Sequence, residues 1–76
     1  MPHVIVKLYA GRSARQKAKL AAQITQAVTT GVQCPDTAVS VGIEDVEPLD
    51  WVEQVYKPDI LGKPYKLYKR PGYNPL

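Results

Sequence analysis

The sequence opens Met1-Pro2-His3, and its second residue is the one with most chemistry in reach. Within a chain, proline is a tertiary amide with neither proton nor basicity. Freed of Met1, Pro2 carries a secondary amine. A terminal amine belongs among the general bases whose pKa burial or a neighbouring cation can bring toward working pH. Proline is small enough for the initiator methionine to be trimmed in the cytosol, and Arg12 in the turn after the first predicted strand is a candidate cation. His3 sits beside the candidate base, but alternation directs it to the face away from Val4, so a structural or interface role is expected. Cys34 precedes Pro35 in a turn without a base or cation to make it a thiolate, and is expected to be inert.

Composition bounds these options. A chain of 76 residues makes one small domain, and a domain this size buries only roughly 60% of the surface its unfolded chain exposes. A single cysteine excludes an internal disulfide, and no Cys/His spacing resembles a metal site; neither metal nor cofactor is expected. No apolar run approaches the ~20 residues of a spanning helix, and the basic-then-apolar design of a signal peptide is missing, so a cytoplasmic protein is expected. Net charge is +3, but Lys7 to Lys19 holds five bases and no acid, whereas Asp36 to Glu53 holds six of the seven acids and no base. One pole is therefore suited to anions. Lys66, Tyr68, Lys69 and Arg70 interleave basic and aromatic residues as single-strand nucleic-acid binders do. The modest net charge, the acidic middle and the lack of an RNA-binding signature argue against nucleic acid, and the cluster is expected to add cations at a site's rim.

The elements that must position these residues follow from periodicity. Pro2 to Tyr9 alternates His3, Ile5 and Lys7 against Val4, Val6 and Leu8, rich in β-branched residues, and predicts a strand. Ser13 with Gln16 three residues on has capping-box spacing, so a helix is predicted from there. Leu20, Ile24, Ala27 and Val28 recur at helical spacing, four further alanines supply propensity, and Gly31 is placed as the C-terminal cap. After the turn "CPDTA", Val39, Val41 and Ile43 alternate with Ser40, Gly42 and Glu44 in a second strand. Strand, helix, strand predicts a right-handed β-α-β unit with parallel strands. Two strands leave open edges and an uncovered face opposite the helix, which predicts a sheet completed by oligomerisation. "PLDWVEQVY" reads as a short helix with Pro48 at its first position and Trp51 and Val55 on one side. The last twenty residues hold four of the seven prolines and read as an irregular extension packed across a neighbouring subunit.

In this order and spacing, the "MPH" opening with Lys7, "GRS" at Gly11 to Ser13, "KAKLAAQIT", "PDTAVSVGIEDV", "PLDW" from Pro48 to Trp51 and the ending Arg70 to Tyr73 span nearly the whole chain. Together they resemble the 4-oxalocrotonate tautomerase family, and within it the dimeric PptA branch. The resemblance implies a single tautomerase-like domain over residues 1–76 and an isomerase in which the amine of processed Pro2 moves a proton between oxygen and carbon of an enol or dienol acid. It places Arg12 where a family arginine binds substrate carboxylate, a task its planar fork suits and a lysine would not match. It places Trp51 as an aromatic residue of the pocket, where an apolar setting disfavours the ammonium and lowers the pKa of Pro2. Structural burial at a subunit contact is an equal reading of Trp51. Ser40 stands where hexameric 4-oxalocrotonate enzymes have a second arginine, and the PptA branch likewise has a serine. A hydroxyl gives one neutral hydrogen bond, which disfavours a dicarboxylate dienol and affects a smaller or aromatic enol acid less. The expected partners are a small carboxylate-bearing enol or keto substrate and further copies of the chain, as a homodimer or a hexamer. Two other functions stay open: a non-catalytic binding or scaffold member of the fold, and a hydratase or dehalogenase acting on a short unsaturated acid.

Overall fold

The computed structural model describes residues 1–76. Two strands, β1 (His3–Tyr9) and β2 (Ser40–Val46), pair in parallel, with His3 opposite Ser40 and Tyr9 opposite Val46. Pro2 lies one residue outside β1, but its carbonyl accepts the Ser40 N–H at 3.1 Å, so the ladder reaches the start of the chain. The connection is α1 (Ala14–Val32), as a parallel crossover requires. Ser13 caps it as the sequence predicts: its Oγ accepts the Gln16 N–H at 3.1 Å, and the Gln16 side chain accepts the Ser13 N–H at 3.0 Å. Gly11, with φ 123°, makes the turn between β1 and α1.

The helix ends differently from the expectation. Gly31 lies within its last turn, and the left-handed residue is Gln33, with φ 56° and its N–H donated to the Thr29 carbonyl. The cause lies downstream. Pro35 disfavours helical backbone at Cys34, so the reversal falls immediately before that residue wherever the last glycine stands. Gly31 merely tolerates a helix that packing and propensity carry past it.

After β2, Pro48–Asp50 forms one tight turn of its own, and the helix proper, α2, runs over Val52–Leu61. Both points correct the sequence reading, which started one short helix at Pro48 and took "KPDIL" as irregular. This helix is wound wide, and its closing bond, Gly62 N–H to the Lys57 carbonyl at 2.8 Å, spans five residues. Pro58 lies inside it without an N–H to donate, and wider winding gives its ring room that a regular α-helix denies.

Val4, Val6, Val41 and Ile43 face α1, and Lys17 fixes the helix to β2 by an ion pair with Asp45 at 2.9 Å. The opposite face is partly covered, contrary to the expectation of an open one. There α2 and the last residues fold over Lys7, Tyr9 and Val46, and the buried core of the chain is Val46, Val55 and Tyr56. The extension is also held by its own chain: Tyr73 accepts a hydrogen bond from the Trp51 indole at 2.9 Å and lies against Tyr56, with ring centres 5.8 Å apart. No residue of α1 is buried, and Ile5 keeps 54% of its surface. Three buried residues make a small core, and the open sheet edges are consistent with oligomerisation. No helix is long and apolar enough to cross a membrane.

Candidate active site

The candidate residues separate into two groups along the sheet. Pro2, His3 and Ser40 gather where both strands begin. The register sets His3 opposite Ser40, and their side chains meet, His3 Nδ1 to Ser40 Oγ, at 2.6 Å on the face turned away from α1. Met1 projects from this end fully exposed, while Pro2 is half-buried.

Arg12 and Trp51 lie where the strands end. Arg12 is exposed in the turn after β1 and takes part in none of the chain's ion pairs. Trp51 meets Tyr9 edge to face, with centroids 5.2 Å apart and planes at 81°, and its N–H is fixed by Tyr73. These three rings line a notch of about 200 Å³. The seven residues of β1 put about 20 Å between the two ends. Within one chain, therefore, Arg12 and the Tyr9–Trp51 contact lie at the opposite end of β1 from Pro2. Arg12 is thus remote from the Pro2 of its own chain.

Between the two groups, α2 and the sheet enclose an open cleft of about 460 Å³ lined by Ile5, Lys7, Trp51, Val55, Asp59, Ile60 and Lys63. Its charges are committed. Lys7 donates to Asp59 at 2.7 Å, and Lys63 approaches the other carboxylate oxygen at 3.6 Å. The hydrogen bond from Lys7 holds the Asp59 carboxyl below its ordinary range, and the same bond raises the Lys7 ammonium above its own. This pair fastens α2 to β1 and with it the position of Trp51.

Sequence reasoning placed Lys7 on one side of β1 with His3 and Ile5 but found neither Asp59 as its partner nor Tyr9 and Tyr73 as those of Trp51. Alternation along β1 puts Tyr9 on the face of Lys7. Asp59, 52 residues from Lys7, has no local spacing signal.

Residues 2–56 match the model described as "Tautomerase enzyme". The chain belongs to the tautomerase family. A probable tautomerase of Xylella fastidiosa (strain 9a5c) is 45% identical over 76 residues, covering 100% of this chain and 93% of the relative. Tautomerase PptA of Enterobacter sp. (strain 638) is 36% identical over 75 residues, with 97% of this chain and 99% of that protein covered. Tautomerase PptA of Cronobacter sakazakii is 32% identical over 74 residues, with 96% and 97% covered. The family match stops before Asp59, Lys63 and Tyr73, whereas these tautomerases align along nearly the full chain. The clamp and the aromatic notch thus depend on a segment that the general family match does not include.

Proposed function

We propose that this family member is a keto–enol tautomerase acting on a small carboxylate-bearing acid of the 2-hydroxydienoate or enol-pyruvate type, within a single domain of 76 residues. The observation that carries the reading is the setting of Pro2. The Ser40 N–H holds its carbonyl at 3.1 Å, and Met1 hangs free at 101% exposure. Removing Met1 sacrifices no packing and leaves a secondary amine at a fixed place beside the strand ends. That nitrogen takes the enol O–H proton as the oxygen's electron pair closes to C=O. The C=C pair shifts to carbon, and the prolinium returns the proton there. Nothing is oxidised overall, and one group near neutral pKa serves both steps.

Arg12 anchors the carboxylate, Trp51 forms the apolar wall that disfavours the prolinium, and Ser40 lies beside the base with its hydroxyl against His3. The separation of about 20 Å along β1 gives the assembly its role. Two copies paired antiparallel about a two-fold axis bring the start of one β1 near the end of the other, so Pro2 and Ser40 of one chain meet Arg12 and Trp51 of the next.

The test is the intact mass of the purified protein beside phenylenolpyruvate ketonisation by the same sample and by Pro2→Ala. Loss of one methionine, with kcat/KM reduced about 100-fold or more in Pro2→Ala, is the expected result. A trimmed protein inert on several enol acids would overturn the enzyme reading in favour of a binding module.

A further inference from the structure

Ser40 is the residue of the candidate site with the least electrostatic reach, a neutral hydroxyl on an exposed strand end. It does not stand alone. His3 lies opposite it in register, and the 2.6 Å contact between His3 Nδ1 and Ser40 Oγ joins the two side chains. The same Ser40 holds the Pro2 carbonyl through its backbone N–H at 3.1 Å. One residue therefore fixes both the candidate base and the imidazole that follows it in sequence.

The contact limits what the pair presents outward. A neutral imidazole can meet Ser40 as either tautomer: with Nδ1 accepting the hydroxyl proton, the ring proton sits on Nε2 and points away from Ser40, whereas Nδ1–H donating to Oγ leaves Nε2 an acceptor. If the imidazole is charged, Nδ1–H donates to Ser40 Oγ, and Nε2–H again points away. With Nδ1 accepting from Ser40, or with the ring charged, Nε2 is a donor with no partner among the chain's own hydrogen bonds, held at the end of the sheet where Pro2 begins. A proton leaving an enol oxygen toward the Pro2 amine builds negative charge on that oxygen, and a fixed donor aimed at such a charge lowers the barrier.

We propose that His3 is a substrate-binding residue whose Nε2–H receives the substrate's reacting oxygen, and that Ser40 is a positioning residue that sets the imidazole's tautomer and orientation. This deepens the proposed tautomerase function and rests on it. His3 then supplies the polarising donor that a lone serine at position 40 would supply weakly. The interaction forms most strongly as charge develops, so its loss lowers kcat more than it raises KM.

The experiment measures phenylenolpyruvate ketonisation by wild type, His3→Leu, His3→Gln, Ser40→Ala and His3→Leu/Ser40→Ala. Each sample is shown by mass to lack Met1 and by circular dichroism and sizing to match wild type. His3→Leu is expected to lose about tenfold or more in kcat with KM changed less than about threefold. His3→Gln, whose amide N–H2 reaches where Nε2 stood, recovers most of that loss. Ser40→Ala loses a few-fold, and the double variant falls no further than His3→Leu, because Ser40 acts through the ring. Unchanged kcat in His3→Leu, or additive losses in the double variant, would overturn the assignment while leaving a Pro2-dependent tautomerase intact. A wild type that is active without dependence on Pro2, or inactive when trimmed, would instead overturn the underlying function and the assignment with it.

Discussion

Asp59→Asn tests whether the ion pair beneath α2 holds that helix on the sheet. Lys7 and Asp59 meet at 2.7 Å with 31% and 30% of their side chains exposed, between a solvated surface pair and a buried one. Surface pairs contribute 0.2–1 kcal/mol and broken buried pairs cost several, so removing this charge while keeping an amide oxygen for Lys7 should cost about 1 kcal/mol. For a domain of this size that lowers Tm by roughly 4–8 °C. Thermal melts at one protein concentration, followed by circular dichroism from acid to alkaline pH, read the difference between wild type and variant. The folded pKa of Asp59 lies below its ordinary 3.8, so the pair's stabilisation is complete above that value and lost as pH falls through the folded pKa. The folded pKa of Lys7 lies above 10.5, so its share is complete below that value and lost as pH rises through the folded pKa. The Tm gap should be level from about pH 5 to 9 and close at both extremes. A gap absent at neutral pH, or undiminished at pH values well below the range in which Asp59 ionises, would show that the pair does not fasten α2.

Two further outcomes follow from the same packing. Gly62→Ala keeps an ordinary backbone, with φ −76° and ψ −14°, but its Cβ would stand 2.8 Å from the Pro58 carbonyl oxygen and 3.0 Å from that of Lys57. The wide turn must shift, and denaturant unfolding should show a loss of about 1–2 kcal/mol, whereas Gly72→Ala, which meets nothing within 4 Å, should be nearly neutral. With only three buried residues in the chain, Tm should fall steadily as the protein is diluted over a hundredfold range; a Tm independent of concentration would contradict an assembly-dependent fold.

The β-α-β unit was legible because each of its parts has a local signal. Alternation marks β1 and β2, and Ser13 with Gln16 marks the start of α1 to the residue. The helix end was not legible from Gly31, because the constraint that ended α1 came from Pro35, beyond the helical pattern. The wide helix α2 was missed past Tyr56 for a related reason. Pro58 argues against a regular helix, and i→i+5 winding departs from the 3.6-residue period by which helices are read. At the site, residue types and a family likeness identified Pro2, Arg12, Ser40 and Trp51 as candidates, yet not their distribution. Element order already implied part of it: Pro2 precedes β1 and Arg12 follows it, so the strand's own length keeps them apart. The Lys7–Asp59 clamp and the Trp51–Tyr73 hydrogen bond join residues 52 and 22 positions apart, and such contacts appear only once the chain is folded.

That separation links stability to catalysis. A chain with its outer sheet face partly bare, no buried residue in its long helix and two open strand edges is suited to association. An antiparallel two-fold pairing covers an edge of each chain. On the proposed reading it also brings the amine of one copy within reach of the guanidinium and indole of the other. Activity and folding should then share one concentration dependence. A variant that weakens association would lose turnover in proportion to its dissociated fraction, even with Pro2, Arg12 and Trp51 all in place, because neither end of a lone sheet holds a complete site.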